Sequence, residues 1–232
     1  MLTGSLLWAL GTVTTLVQAQ SAPLVDVRMG LVLPKQASGH SAPPAVLWLK
    51  PLGDTPQAPF LPQQHYTLLQ KSRMFTPHLL VIPVGSVVQF PNADPFFHNV
   101  FSLFDGKRFD LGLYEAGSTK AVSFSREGVS YIFCNIHPSM SAVVLTISTR
   151  LYTIADSRGL FRLADVPAGD YELHVWIEGA AQPALARLVR HIHLNPGSGD
   201  LGLLALADIM QGSTSHANMF GQSYDKDAKP PY

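Results

Sequence analysis

The chain has 232 residues with 16 basic and 16 acidic side chains, a formal net charge of zero and 14% charged residues. With no basic surplus to neutralise phosphates, this composition excludes a charge-driven nucleic-acid binder, and it equally excludes long-range steering of a partner by net charge. The length allows one large or two small domains with ample core, and low charge with 18 Gly, 18 Pro and many β-branched and aromatic residues favours an all-β architecture.

Residues 1–19, MLTGSLLWALGTVTTLVQA, are apolar, uncharged and end in the small-x-small run Val17-Gln18-Ala19, which reads as an export signal cleaved after Ala19. No Lys or Arg precedes the stretch, so retention as an anchor stays open. Its short length, Gly4, Gly11 and threonines favour cleavage over a membrane span, and no later stretch is long and apolar enough to cross a bilayer. The expected location is therefore periplasmic or otherwise exported. Residues 20–62 form an N-terminal β segment and linker, with strands at Val25–Met29 and Ala45–Leu49 and a proline-rich connection from Pro51 to Pro62.

Residues 63–148 read as a succession of about seven short strands with turns at sandwich-like spacing. Tyr66 to Phe75 is expected as the first strand. His78–Val84 follows, with Pro83 near its end where a missing donor is tolerated, and Gly85-Ser86 turns the chain. Ser86–Pro91, the turn-rich Asn92-Ala93-Asp94-Pro95 and Phe97–Ser102 come next. Lys120–Ser125 alternates, Val129 to Cys134 runs into the sequence Cys134-Asn135-Ile136-His137-Pro138-Ser139-Met140, and Ser141–Ile147 leaves it.

Cys134 is the only cysteine of the chain. In an oxidising compartment a lone thiol has no internal disulfide partner, and metal ligation is its most economical use. With His98 upstream and His137 and Met140 just downstream, one thiolate, two imidazoles and a thioether form the donor set of a type 1 copper centre: two His and one Cys in a plane and a weak axial Met. Cys134 would bind as thiolate and His98 and His137 as neutral imidazoles, each needing an acceptor for its other nitrogen or an exposed edge. Taken singly, each has a plainer reading: Cys134 as a buried strand-end thiol, His98 as a strand histidine, His137 as a turn histidine and Met140 as core filler.

Asn99, Asn135 and Pro138 are the expected supporting residues. Asn99 ties the first ligand's strand to the loop, backbone N–H groups after Cys134 donate to its sulfur, and Pro138 stiffens and shields the loop. Pro95, Phe96, Phe97 and Ile136 would make an apolar patch around an exposed edge of His137, suited to a transient, weakly bound redox protein; in the plainer reading Phe96 and Phe97 point in opposite directions and only one is exposed. The other histidines, including His65, His78, His174, His191, His193 and His216, read as surface or core groups. His191 and His193 alternate on one strand face, a spacing also compatible with a second metal.

The segments Phe75-Thr76-Pro77, Val84-Gly85-Ser86-Val87-Val88-Gln89-Phe90-Pro91-Asn92, Phe97-His98-Asn99-Val100 and Cys134–Met140 together resemble the cupredoxins, the plastocyanin and amicyanin family of blue-copper proteins, and are similar to the plastocyanin-like methylamine utilisation proteins. The two residues between Cys134 and His137 and the two between His137 and Met140 match the amicyanin spacing. The resemblance spans about residues 65 to 150 and implies a Greek-key sandwich of eight strands that holds one copper ion and passes single electrons.

Residues 149–199 begin a second region. Gly159-Leu160-Phe161-Arg162-Leu163 followed by Val166-Pro167-Ala168-Gly169-Asp170-Tyr171-Glu172-Leu173 resembles the carboxypeptidase-regulatory-like modules, which implies a smaller transthyretin-like β-sandwich without catalysis. About fifty residues are too few for a full sandwich, and Leu24 to Lys50 could complete it as one discontinuous domain around the copper domain. Residues 200–232 comprise a strand or short helix over Asp200–Met210 and a polar tail.

No nucleophile elbow, phosphate loop, zincin helix or paired-carboxylate motif is present, and Asp94 and Asp105 lack an acid–base partner, so no enzyme is expected. Asp110 reads as a turn organiser. The leading expectation is a copper electron carrier; the alternative is a non-redox copper-binding, delivery or scaffold protein of the cell envelope.

Overall fold

The computed structural model describes residues 22–33, 41–55, 57–63, 65–103 and 106–209; the expected signal segment, the tail beyond residue 209 and Asp105 lie outside them. The strands are β1 (Leu24–Val32), β2 (Ala45–Pro51), β3 (Tyr66–Thr67), β4 (Leu69–Lys71), β5 (Met74–Thr76), β6 (Leu79–Pro83), β7 (Ser86–Pro91), β8 (His98–Ser102), β9 (Phe109–Tyr114), β10 (Thr119–Phe124), β11 (Gly128–Phe133), β12 (Ser141–Ile147), β13 (Tyr152–Ile154), β14 (Leu160–Pro167) and β15 (Gly169–Ile177). A short helix α1 (Gln182–Ala186) precedes β16 (Arg190–Leu194) and β17 (Asp200–Ala205), after which Leu206–Asp208 form a 3-10 turn. The chain is all-β, as its low charge and frequent turn residues led us to expect.

The middle of the chain folds two sheets, ordered β6-β12-β11-β8-β9 and β10-β7-β3, over one apolar core. Inward residues of alternating strands supply it: Val88 and Phe90 from β7, Val122 and Phe124 from β10, Ile132 from β11, and Ala142 and Val144 from β12. Two further sheets, β14-β1-β17 and β13-β2-β15-β16, combine strands from both ends of the chain. β1 runs antiparallel to β14, and β2 lies between β13 and β15 with Leu49 opposite Leu173 and Leu47 opposite Val175. The proline-rich connection after β2 docks by its Pro59 bridge to Thr149 and by a tilted ring contact of Phe60 with Tyr152.

The two pairs of sheets meet along β6, β11 and β12. Val81, Val143, Leu145 and Ile147 point away from the first core and belong to the cluster that contains Leu47, Val175 and Ile177. Polar contacts flank this apolar seam: Trp176 Nε1–H donates to Tyr131 Oη at 3.2 Å, Lys50 pairs with Glu127, and His78 Nε2 lies 2.6 Å from Glu178 Oε1.

The stretch Tyr66 to Phe75, expected as one strand, is three short strands, and β4 and β5 form a hairpin with Lys71 opposite Met74. Ser72 and Arg73 at its tip have φ of 55° and 57°, a conformation that costs a non-glycine residue roughly 1–2 kcal/mol. The offset comes from Asp94, whose two carboxylate oxygens accept the N–H groups of Ser72 at 2.6 Å and Arg73 at 2.9 Å; hydrogen bonds to a charged acceptor contribute about 1.5–3 kcal/mol each. Asp110, expected at a turn, lies inside β9, where it accepts the N–H of Gly112 at a register shift between β8 and β9.

The His78–Glu178 contact gives the seam a pH dependence. The hydrogen bond that His78 donates to the Glu178 carboxylate holds the His78 pKa above its ordinary value, against the opposing effect of burial. A raised folded-state pKa stabilises the fold fully below the unfolded value and loses that contribution as pH rises through the folded value. Glu178→Gln should therefore lower unfolding stability by up to about 1 kcal/mol near pH 5.5 in urea titrations, with the difference from wild type vanishing toward about pH 9.

Candidate metal centre

His98 begins β8, Cys134 follows the last residue of β11, and Met140 precedes the first of β12. Phe133 and Ser141 are paired across β11 and β12, and the residues between them form a loop closed by two backbone hydrogen bonds: Cys134 N–H to Met140 O at 3.2 Å and Met140 N–H to His137 O at 2.9 Å. The loop turns back tightly enough to place His137 against Cys134. β8 pairs with β11 through Phe101 and Phe133, which brings His98 to the same end of the sheet.

His98 Nδ1 lies 3.7 Å and His137 Nδ1 3.6 Å from Cys134 Sγ. The three donor atoms lie within 4.8 Å of one another, and among the described residues no other group of three or more His, Cys, Asp or Glu side chains is so close. Cys134 and His98 are 0% exposed and His137 is 8% exposed. An ion bound in the trigonal plane of these atoms, with metal–N near ~2.0 Å and metal–S near ~2.3 Å, would hold each nitrogen roughly 3.7 Å from the sulfur. The observed separations match, so the donors fit one small, partly soft metal ion. Met140 is 1% exposed and packs in the core cluster that contains Cys134.

Electrostatics favour the ligand forms of Cys134 and His137. Burial pushes the Cys134 thiol up, but His98 and the backbone N–H groups of Asn99, Ile136 and His137 facing the sulfur outweigh it, and the pKa falls below the usual thiol value. Burial pulls His98 down, yet its contacts with Cys134 and Asp94 raise it. His137 is lowered by burial and by its neighbours His98 and Arg73, which favours the neutral imidazole.

Asp94 is the residue that the sequence left without a role. Its Oδ2 lies 2.9 Å from His98 Nε2, which fixes the tautomer with N–H on Nε2 and turns the Nδ1 lone pair toward the sulfur. Burial opposes its ionisation, but the N–H of Arg73, the His98 ring and the N–H of Ser72 hold its pKa below the ordinary carboxylate value. Asn92 holds the turn in place, accepting Asp94 N–H at 3.0 Å and donating to Phe96 O at 2.8 Å. Only the turn composition of Asn92-Ala93-Asp94-Pro95 marked this segment in the sequence; nothing there aimed a carboxylate at His98.

The other expected residues divide by position. Asn99 places its backbone N–H against the sulfur and donates its side-chain N–H to Asp110 Oδ1 at 2.7 Å. Asn135 is half-buried on the loop and Pro138 is exposed at its tip. The ring that covers the imidazoles is Phe96, with centroids 5.3 Å from His98 and 5.5 Å from His137, and the Arg73 guanidinium lies 5.3 Å from the Phe96 ring centre. Phe97, in contrast, is 51% exposed; Pro95 is exposed beside it and Ile136 is half-buried.

Among solved structures, the chain is similar to a purple cupredoxin from Nitrosopumilus maritimus at 25% identity over 37% of this chain and 100% of that one, with a TM-score of 0.33. It is similar to a reduced amicyanin variant at 18% identity over 40% of this chain and 94% of that one, with a TM-score of 0.34. A Cu-containing nitrite reductase from Thermus scotoductus SA-01 matches at 24% identity and a TM-score of 0.36, over 43% of this chain and a quarter of the reductase. No family model matches the chain, and no curated protein matches it significantly.

Truncating Asp94 leaves two backbone N–H groups and the His98 Nε2–H without their acceptor. Asp94→Ala should destabilise the protein by about 2–4 kcal/mol in denaturant titrations. Where it still folds, metal affinity measured by chelator competition should drop about 10–100-fold.

Proposed function

We propose that this chain is an exported type 1 copper protein that would hold one copper ion through His98 Nδ1, Cys134 Sγ and His137 Nδ1, with the Met140 thioether as a fourth, weaker donor, and that it carries single electrons between redox proteins. The observation that carries this reading is the pair of 3.6 and 3.7 Å separations between a buried thiol and two imidazole Nδ1 atoms. A Cys₁His₂ plane with a nearby Met is the donor pattern of blue-copper electron-transfer sites rather than of closed structural zinc sites. Copper so held would supply a one-electron change between Cu(II) and Cu(I).

The protein residues do the rest. N–H groups of Asn99, Ile136 and His137 stabilise negative charge on the sulfur, Asp94 holds the His98 ring, and Phe96 excludes water from both imidazoles. Enclosure favours the carrier over copper delivery, because ligand exchange with an acceptor needs open access and the described donors are 0 to 8% exposed. The narrow exposed margin of His137, with Phe97, Pro95 and Ile136, is the docking patch we assign to a transient redox partner, and Arg73 adds positive charge at its edge. Export rests on the charge-free apolar segment of residues 1–19.

Adding Cu(II) to the purified protein should produce an intense visible thiolate-to-copper absorption and a reversible one-electron couple, both absent in Cys134→Ser. A colourless copper-loaded wild type overturns the proposal. Phe97→Lys should leave that spectrum intact while slowing electron self-exchange between oxidised and reduced copies by about tenfold or more, through charge repulsion at the patch. An unchanged exchange rate moves the electron's exit elsewhere.

A further inference from the structure

On the side of β15 opposite Leu173 and Val175, Glu172 and His174 lie two residues apart, and His191 of β16 stands directly across from Glu172. His174 Nε2 is 2.6 Å from Glu172 Oε1, and His191 Nε2 is 3.7 Å from Glu172 Oε2, so one carboxylate is faced by two imidazole Nε2 atoms, one at each oxygen. The next rung repeats the chemistry with His193 Nδ1 2.7 Å from Asp170 Oδ1. Lys50, opposite Glu172 on β2, makes its ion pair with Glu127, and the close contacts of the Glu172 carboxylate are with the two histidines.

We propose that Glu172, His174 and His191 form a second site, separate from the buried cluster, that binds one divalent transition-metal ion of the Cu(II) or Zn(II) class at the protein surface. His174 and His191 are diagonal neighbours across the strand pair. Diagonal Cβ atoms lie roughly 7–8 Å apart in an antiparallel sheet, a span two imidazoles close when they share an ion at about 2.0–2.1 Å from each nitrogen.

One half of the site is fixed and the other adjusts. The His174 ring is stacked on Trp48, with centroids 4.9 Å apart and planes at 11°, and its side chain is 17% exposed. The His191 side chain is 73% exposed and free to rotate onto the ion. The plainer role of these groups, two surface histidine–carboxylate pairs, contributes little to stability. Two imidazoles and a carboxylate instead bind Cu(II) in preference to the other first-row divalent ions, and no thiolate takes part, so a copper ion here lacks the intense thiolate absorption.

The stack on Trp48 provides the readout. When Cu(II) is titrated into the full chain, one equivalent should develop the thiolate absorption, and a second should add no such band while quenching Trp48 fluorescence. His191→Ala and Glu172→Gln should each lose the second equivalent in equilibrium dialysis and keep the first. Trp48→Phe should keep both and lose the quenching. Cys134→Ser should lose the thiolate band and retain the quenching, so failure of the buried copper site is distinguishable from failure of this one. A wild type that binds no ion outside the buried cluster, or a second equivalent that persists in His191→Ala and Glu172→Gln, overturns the proposal.

Discussion

β12 is buried on both faces, and the rest of the molecule depends on that double burial. Ala142 and Val144 pack into the core that contains Cys134, while Val143, Leu145 and Ile147 pack into the core built from the two ends of the chain. The strand pairs with β11 on one side and β6 on the other, so it is also an interior strand of its sheet. A strand in this position cannot slip register by one residue without exchanging its two faces, which would drive one core's side chains into the other. Its start is therefore fixed, and with it the end of the loop that carries His137 and Met140.

Electrostatics then complete what packing begins. Three titratable groups, Asp94, His98 and Cys134, lie in line, with the imidazole between carboxylate and thiol. Each would resist charging if buried alone, yet the central ring interacts favourably with both neighbours, and backbone N–H groups from the hairpin tip and the ligand loop supply further donors. The same carboxylate that orients His98 holds Ser72 and Arg73 in their left-handed conformation. Asp94 thus couples the β4–β5 hairpin to the His98-Cys134-His137 cluster, and the Arg73 guanidinium returns from that hairpin to lie against Phe96. Polar residues and backbone strain at this end of the sandwich share one explanation.

The parts of this arrangement that were legible in the sequence are local ones. Cys134, His137 and Met140 fall within seven residues, and β12 could be read from the continuous apolar run Ala142-Val143-Val144-Leu145, as expected of a strand buried on both faces. Asp94 was not legible because its partner contacts come from Ser72 and Arg73, more than twenty residues away, and from a turn whose composition gives no direction to a side chain. The β4–β5 hairpin was missed for the same reason: Gln70-Lys71-Ser72-Arg73 contains no Gly, Asn or Pro, and a long-range carboxylate stands in for the missing turn residue. Phe96 and Phe97 show the limit of alternation as a guide. Their opposite directions were readable; which one would cover the imidazoles depended on where β8 met the ligand loop.

The terminal strands matter to the site through the same two-faced strands. Cys134 immediately follows β11, and the outward residues of that strand, Val129 and Tyr131, are partly buried against the core that contains Trp176. The Trp176 indole N–H holds the Tyr131 hydroxyl, and Lys50 holds Glu127 just before the strand begins. The loop from Cys134 to Met140 hence springs from two strands that are clamped on their outer faces as well as filled on their inner ones. For the one-electron role proposed above, a frame clamped from two sides would keep the donors in place and resist the small shifts that a change of charge at the site would otherwise drive. The second pair of sheets, which contributes no donor to the buried cluster, acts on it by restricting the motion of the strands that do.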